Sequence, residues 1–112
     1  KDFILTFDAF GFDFILVETV GVGQTELDIV HLATTTIVVL VPEAGDAVQT
    51  MKAGLMEIAD IFVVNKADRP GAEEMKTTLA GAGDTPVVLT EALNGRGVEE
   101  LWKQLVKSAG FT

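Results

Sequence analysis

Short apolar runs with the length of buried strands alternate along this chain with segments that have helical periodicity. The runs of strand length are 13–18, 36–41, 61–64 and 86–89. The helical segments are 2–10, 25–32, 47–59, 70–80 and a last one that follows Gly97. Strands that are separated by helices and apolar on both faces are typical of a parallel sheet with right-handed crossovers. We therefore predict an α/β fold, with a mostly parallel sheet of about four strands flanked by helices.

The last helical segment carries a broad apolar stripe. Its apolar residues follow helical spacing and are Val98, Leu101, Trp102, Leu105, Val106 and Ala109. Residues at this spacing share one helix face, which predicts that the stripe packs against the sheet. On this interpretation Trp102 is a packing residue rather than a functional one.

Composition limits the classes of function that the chain can serve. With 112 residues, of which 48% are hydrophobic, it has the material for one globular domain. The absence of cysteine excludes disulfide frameworks, zinc–thiolate sites and cysteine nucleophiles, and it is consistent with the cytoplasm. The net charge of −9 disfavours nucleic acid and anionic membranes as partners, because both carry negative charge. No apolar run approaches the roughly 20 residues that a membrane-spanning helix needs.

The segment Asn65-Lys66-Ala67-Asp68 directly follows the apolar run 61–64. Ligands of open α/β sheets bind beyond the carboxyl ends of the strands, where this segment is expected to lie. The Asp68 carboxylate suits guanine, because it accepts from both the ring N–H and the exocyclic amine, a pair of donors that adenine lacks. Lys66 is expected to cover the face of the base, and Asn65 to tie neighbouring loops together. The alternative is a solvated turn, in which Asn and Asp bond to the backbone.

A second loop of the same sheet edge, Thr90-Glu91-Ala92-Leu93, follows the run 86–89. A small residue lets its backbone approach a ligand closely, so we expect the Ala92 N–H to donate to the O6 atom of guanine. An ordinary strand-to-helix connection explains this loop equally well when it is taken by itself.

The segment 18–24, Glu-Thr-Val-Gly-Val-Gly-Gln, follows the first apolar run. Glu18 is placed to hold Mg²⁺ through water, and Gly21 lets a backbone N–H approach a γ-phosphate. Gln24 is expected to orient the attacking water. The alternative is a glycine-rich turn that precedes a helix capped by Thr25.

Polar residues also follow the second apolar run. Asp46, Gln49 and Lys52 lie on or just after a loop of the same sheet edge, so we expect them to form a nucleotide-sensing segment. The alternative, in which Asp46 only caps the following helix, is equally consistent with the sequence.

The sequence contains no G-x-x-x-x-G-K-[ST] motif. Because that loop and its lysine hold the β- and γ-phosphates, we expect the chain alone to bind GTP weakly if at all and not to hydrolyse it. The chain opens with Lys1 rather than Met, which favours a piece of a longer protein.

Five segments together resemble the MeaB/ArgK family, the GTPases associated with methylmalonyl-CoA mutase. They are Val17-Glu-Thr-Val-Gly-Val-Gly-Gln24, Ala44-Gly-Asp46, Met51-Lys-Ala-Gly54, Glu57-Ile-Ala-Asp60 and Val63-Val-Asn-Lys-Ala-Asp68. The resemblance extends from about Gly11 to the closing segment 95–102. It implies a three-layer, Rossmann-like P-loop NTPase fold. Residues 1–112 would be the carboxy-terminal half of its GTP-binding domain, without the P-loop and switch I.

The resemblance also implies a function. Proteins of this family bind GTP and GDP with Mg²⁺, hydrolyse GTP, and act as chaperones that load or protect the adenosylcobalamin of the mutase, usually as homodimers. The family's site roles fall on Glu18 and Gly21 for Mg²⁺ and γ-phosphate, on Asn65, Lys66, Asp68 and Ala92 for guanine, and on Asp46, Gln49 and Lys52 for signalling to the mutase. Three positions depart from the family pattern: Glu43 stands in place of Gly, and Glu91 and Thr25 each stand in place of Ser.

Other classes fit the sequence less well. Nickel-inserting relatives need Cys and His ligands, and the chain has no Cys and one His. A receiver-type phosphorylation module needs an Asp at the end of a central strand, whereas the strand-ending positions here are Glu18, Pro42 and Asn65. The alternative that stays open is a non-enzymatic half-domain, or a gene fragment, that only packs against a partner.

Overall fold

The computed structural model describes residues 16–18, 31–44, 57–81 and 83–109. The chain divides into two units, residues 1–34 and 35–112. In the first unit, residues 16–18 have no regular structure, and residues 31 and 32 form a turn. The strands and helices among the described residues all belong to the second unit.

Three parallel strands form the sheet of the second unit. They are β1 (Ile37–Leu40), β2 (Ile61–Val64) and β3 (Val87–Leu89), and they lie side by side in that order. All four residues of β2 are buried, because this strand has a neighbour on each side and side chains packed on both faces. The parallel sheet confirms the predicted α/β fold, and the bounds of these strands differ from the predicted runs by at most one residue.

Two helices cover opposite faces of this sheet and are named α1 (Ala72–Gly81) and α2 (Val98–Ala109). On one face, Met75 and Leu79 of α1 pack in a cluster with Phe62 of β2. On the other face, Leu101 and Leu105 of α2 pack against the cluster of Ile61, Val63 and Val88. Since successive side chains of a strand point to opposite faces, the sheet is the middle of three layers.

Short 3-10 turns follow two of the strands. Pro42–Ala44 follows β1, and Ala92–Asn94 follows β3. Glu57 and Ile58 are helical, whereas Ala59, the last residue of the predicted helix 47–59, is not, and residues 47–56 lie outside the described residues. No helix in the part of the chain that the structure describes is both long enough and apolar enough to cross a membrane.

The structure departs in part from two predictions. The apolar stripe of α2 is only partly covered, because Val98 is 46% and Trp102 48% exposed. The described sheet is three strands wide and α2 packs on it through Leu101 and Leu105, so the flanks of the stripe reach solvent. The predicted strand 13–18 also fails at residues 16–18, which are irregular, with Leu16 90% exposed. An apolar run forms a strand only where another strand pairs with it, and apolar character does not reveal whether one does. Residues 13–15 of this prediction lie outside the described residues.

Candidate functional site at the carboxyl edge of the sheet

The three strands end at one edge of the sheet, and backbone hydrogen bonds connect the segments that follow them. The Asn65 N–H donates to the Leu40 carbonyl at 2.8 Å, and the Thr90 N–H donates to the Val64 carbonyl at 2.9 Å. The Ala67 N–H, in turn, donates to the Thr90 carbonyl at 3.0 Å. The loops after β2 and β3 therefore have a fixed relation to the sheet and to each other.

The Asn65 side chain joins these two loops. Its Oδ1 atom accepts from the Thr90 hydroxyl at 2.9 Å and from the Ala92 N–H at 3.0 Å. Thr90 is 3% exposed, so its hydroxyl needs a partner inside the protein. Because a backbone N–H can only donate, the amide must turn Oδ1 toward Ala92 and Nδ2 away from it. Nδ2 has no hydrogen-bond partner among the residues that the structure describes.

The backbone turns sharply at Lys66, which has a left-handed φ of 58°. The Arg69 N–H closes the turn by donating to the Lys66 carbonyl at 3.0 Å. Ala67 packs against the core cluster on the α1 face, whereas Lys66 and Asp68 are exposed. Neither of these two charged side chains makes a hydrogen bond or ion pair within the described residues.

The loop after β3 is closed by Glu91 and Arg96, a pair that we call the Glu91–Arg96 clasp. The Glu91 N–H donates to the Arg96 carbonyl at 2.8 Å, and Arg96 Nη1 donates to Glu91 Oε2 at 2.7 Å. Asn94 lies inside the clasp: its Nδ2 donates to Glu91 Oε1 at 3.2 Å, and its Oδ1 accepts from the Arg96 N–H at 3.1 Å. The carboxylate of Glu91 is therefore engaged within its own loop.

Gly97 connects this loop to α2 through a close backbone contact. Its φ is 81°, and a β-carbon at this position would lie 2.2 Å from the Leu89 carbonyl oxygen and 3.1 Å from Thr90 Cα. Only glycine fits without a shift of the backbone. The start of α2 is thus held against the end of β3, next to Thr90.

An ion pair connects the loop after β1 to the loop after β2. Arg69 Nη1 donates to Glu43 Oε1, and both side chains are about half exposed. The hydrogen bond from Arg69 lowers the pKa of Glu43, with smaller contributions from its own backbone and the charges of Arg69 and Lys66. The same pair raises the pKa of Arg69. Glu43 thus ties the turn Pro42–Ala44 to the segment 65–69.

The structure brings four of the predicted site residues to one edge: Asn65, Lys66, Asp68 and Ala92. Ala92 is bound within the protein, since its N–H donates to Asn65. Glu18 belongs to the first unit, where its side chain is exposed. The remaining predicted residues, Gly21, Gln24, Asp46, Gln49 and Lys52, lie outside the described residues. Within the described ranges, no three His, Cys, Asp or Glu side chains converge as metal ligands.

Three residues of this edge have roles that sequence reasoning did not assign. Thr90 supplies a buried hydroxyl, Arg96 closes the clasp, and Gly97 allows the close contact with Leu89. A signal exists for Gly97, because two glycines at 95 and 97 just before a helix indicate left-handed backbone. The spacing of Glu91 and Arg96 carries no comparable signal, because it matches neither helical nor strand periodicity.

Comparison with known proteins gives consistent matches over most of the chain. The sequence model of the family described as "Methylmalonyl Co-A mutase-associated GTPase MeaB" matches residues 1–111. A protein of Pyrococcus horikoshii that is named as a GTPase is 49% identical over 99% of this chain and 39% of its own length. The GTPase ArgK of Escherichia coli is 35% identical over 95% of this chain and 36% of its own length. The mitochondrial "Methylmalonic aciduria type A homolog" of mouse is 32% identical, covering 82% of this chain and 25% of that protein. The chain thus spans less than two fifths of the length of these relatives.

Proposed function

Because the chain belongs to the MeaB/ArgK family of GTPases, we propose that it is the guanine-reading, carboxy-terminal half of a GTP-binding domain. The domain would be part of a longer polypeptide, called the full-length protein below. In this proposal residues 1–112 lack the P-loop and switch I, which the rest of the full-length protein supplies. The family match over nearly the whole chain and the short coverage of its relatives support this division.

The observation that carries the proposal is the double hydrogen bond accepted by Asn65 Oδ1. It fixes the amide so that Nδ2 faces away from Ala92 as a donor, and guanine offers the acceptors N7 and O6. The exposed Asp68 carboxylate then accepts from the ring N–H and the exocyclic amine of the same base. An adenine base would leave this carboxylate unpaired, a mismatch that discriminates by roughly 10⁴-fold or more in sites of this kind.

Lys66 and Ala92 complete the base site in this proposal. The left-handed backbone at Lys66 leaves its side chain exposed, where the aliphatic stem covers the face of the base. The Ala92 N–H, which donates to Asn65 Oδ1, is in this proposal shared with guanine O6. The small side chain of Ala92 lets the base approach this backbone donor closely.

The phosphates and Mg²⁺ would be held mainly outside the described residues. The exposed Glu18 carboxylate is suited to accept hydrogen bonds from water bound to Mg²⁺, which supplies charge neutralisation at the β- and γ-phosphates. We propose that the Gly21 N–H donates to the γ-phosphate and that Gln24 orients the attacking water. In this proposal the lysine-containing phosphate loop, which residues 1–112 do not contain, would come from elsewhere in the full-length protein.

We further propose that the full-length protein is a GTP-hydrolysing chaperone of an adenosylcobalamin-dependent methylmalonyl-CoA mutase. The family description names this mutase, and the mouse relative is named for methylmalonic aciduria. Asp46, Gln49 and Lys52 would signal the nucleotide state to the mutase. We also propose that the full-length protein works as a homodimer in the cytoplasm.

The second candidate is a non-enzymatic half-domain that only packs against a partner. One observation favours it: Val39, in the middle of β1, is 60% exposed, although a parallel strand is normally covered on both faces. The same exposure is expected if the rest of a GTP-binding domain covers this face. Nucleotide binding by the full-length protein separates the two candidates.

Calorimetry with Mg²⁺ and either GTP or ATP tests the proposal. The full-length protein is expected to bind GTP and hydrolyse it, with ATP weaker by roughly 10⁴-fold or more. The 112-residue chain is expected to bind neither nucleotide in the low micromolar range, because it lacks the phosphate loop. If the full-length protein binds neither nucleotide, the GTP-binding proposal fails and the half-domain candidate remains. Transfer of adenosylcobalamin to the mutase should depend on GTP and on the integrity of Asp68.

A further inference from the structure

The Ala92 N–H belongs to the peptide between Glu91 and Ala92, so its direction depends on how Glu91 is held. The 3-10 turn that begins at Ala92 is poorly anchored by apolar contacts. Ala92 and Asn94 are exposed, and Leu93 is fully exposed at 104%. Hydrophobic packing therefore does not fix this peptide, and polar interactions must do so.

The clasp provides such polar interactions through the side chain and the N–H of Glu91. Both oxygens of the Glu91 carboxylate are engaged, Oε2 by Arg96 Nη1 and Oε1 by Asn94 Nδ2. The Glu91 N–H is engaged as well, by the Arg96 carbonyl. The side chain of Glu91 is only 12% exposed, whereas that of Arg96 is 78% exposed. A carboxylate so far withdrawn from water depends on its cationic partner, so loss of Arg96 would release it from its present place.

Thr90, the residue before Glu91, is held in place as well. Its N–H donates to the Val64 carbonyl, its carbonyl accepts from Ala67, and its hydroxyl donates to Asn65 Oδ1. With Thr90 held by β2 and Glu91 held by Arg96, the peptide between Glu91 and Ala92 has little freedom to rotate. Its N–H is thus kept on the side of Asn65, which it contacts at 3.0 Å.

We propose that Glu91 and Arg96 are positioning residues that aim the Ala92 N–H at the base. This inference rests on the proposed function, because it takes guanine O6 as the acceptor. In this proposal both side chains act on the base through the Ala92 peptide rather than by direct contact. The Glu91 carboxylate is held by Arg96, so the two residues act as one unit.

The test compares GDP with 6-thio-GDP in the full-length protein. The thio analogue keeps the ring N–H and the exocyclic amine that Asp68 reads, but sulfur is a much weaker acceptor than O6. Arg96→Gln and Glu91→Gln are expected to weaken GDP binding by about 3- to 10-fold, the range of one net hydrogen bond. Their affinity for 6-thio-GDP is expected to change by less than about 2-fold, so the preference for GDP falls.

Two further variants control the interpretation. Arg96→Lys is expected to restore most of the preference, because Arg96 contacts Glu91 through a single nitrogen that an ammonium group can replace. Lys103→Gln removes the same charge from the exposed face of α2 and is expected to leave both affinities unchanged. Thermal unfolding of each variant shows whether it remains folded at the temperature of the binding assay.

The outcomes distinguish this inference from the proposed function. If wild-type protein binds no guanine nucleotide, the proposed function fails. If wild-type protein prefers GDP over 6-thio-GDP and Arg96→Gln keeps that preference, the positioning role alone is overturned. An equal loss for both nucleotides, or no preference in the wild type, would also overturn it, because a general structural role would then explain the clasp.

Discussion

Replacing Gly97 with alanine is expected to destabilise the fold strongly, for two reasons that can be separated. The left-handed backbone, with φ at 81°, costs a non-glycine residue roughly 1–2 kcal/mol. The new β-carbon would also lie 2.2 Å from the Leu89 carbonyl oxygen, and forcing such a group into a packed site costs about 1–3 kcal/mol more. The expected loss in the free energy of unfolding is therefore about 2–5 kcal/mol in total.

Two other glycines serve as matched controls for this change. Gly95 has the same φ of 81°, but a β-carbon there meets nothing within 4 Å. Gly95→Ala should therefore cost only the backbone contribution of roughly 1–2 kcal/mol. Gly81, at the end of α1, has neither a positive φ nor a close neighbour. Gly81→Ala should leave stability unchanged or raise it by up to about 1 kcal/mol.

Equilibrium unfolding of the 112-residue chain in urea, followed by far-ultraviolet circular dichroism, measures all three variants. The expected order of stability is Gly81→Ala, then Gly95→Ala, then Gly97→Ala, with the last two separated by at least about 1 kcal/mol. If Gly97→Ala and Gly95→Ala are equally stable, the close contact between Gly97 and Leu89 does not exist. The attachment of α2 to the end of β3 would then need another explanation.

Three more changes test separate parts of the structure. Asn65→Ala removes the acceptor of the buried Thr90 hydroxyl and of the Ala92 N–H, and should lower the free energy of unfolding by about 1–3 kcal/mol in the same urea assay. Thr35→Val replaces a buried hydroxyl that has no partner among the described residues, and should raise it by about 1 kcal/mol; a loss of stability would show that the hydroxyl is bound. Arg69→Gln removes the main cause of the lowered pKa of Glu43, so an NMR titration of that carboxyl should show its pKa rise toward 4.5. The pKa of Glu43 is lowered in the folded state, so its carboxylate stabilises the fold at pH values above the pKa that it has in the unfolded chain. The difference in stability between wild type and Glu43→Gln should therefore vanish as the pH falls below the lowered pKa.

The sequence predicted the fold well where one physical effect decides the outcome. The run 61–64 is apolar on both faces and became a strand buried at every position, because it pairs on both sides. Prediction failed where the structure of a segment depends on the part of the protein next to it. Whether Trp102 is covered depends on the width of the sheet under α2, and whether residues 16–18 form a strand depends on a pairing partner. Neither of these is a property of the segment itself.

The candidate site likewise has features that sequence patterns predict and features that they do not. The position of Asn65 and Asp68 at the carboxyl edge follows from the order of strand and loop, which periodicity reveals. The acceptance of two hydrogen bonds by Asn65 Oδ1 depends on the register between β2 and β3, which sequence patterns leave undetermined. The Glu91–Arg96 clasp depends on the path of a loop in which Gly95 and Gly97 take left-handed conformations. Such contacts between side chains in a loop follow from its three-dimensional path.

The claim that Asp68 reads the guanine base can be tested by one change in nucleotide preference. Asp68→Asn in the full-length protein exchanges a carboxylate that, in the proposal, accepts two hydrogen bonds from guanine for an amide that donates on one side. Xanthine carries a carbonyl where guanine has its amine, so preference should shift from GTP toward xanthosine triphosphate by at least about 100-fold. Asp84→Asn, a change at an exposed aspartate before β3, is the matched control and should leave preference for GTP intact. If Asp68→Asn hydrolyses GTP and xanthosine triphosphate in the same ratio as the wild type, Asp68 does not read the base.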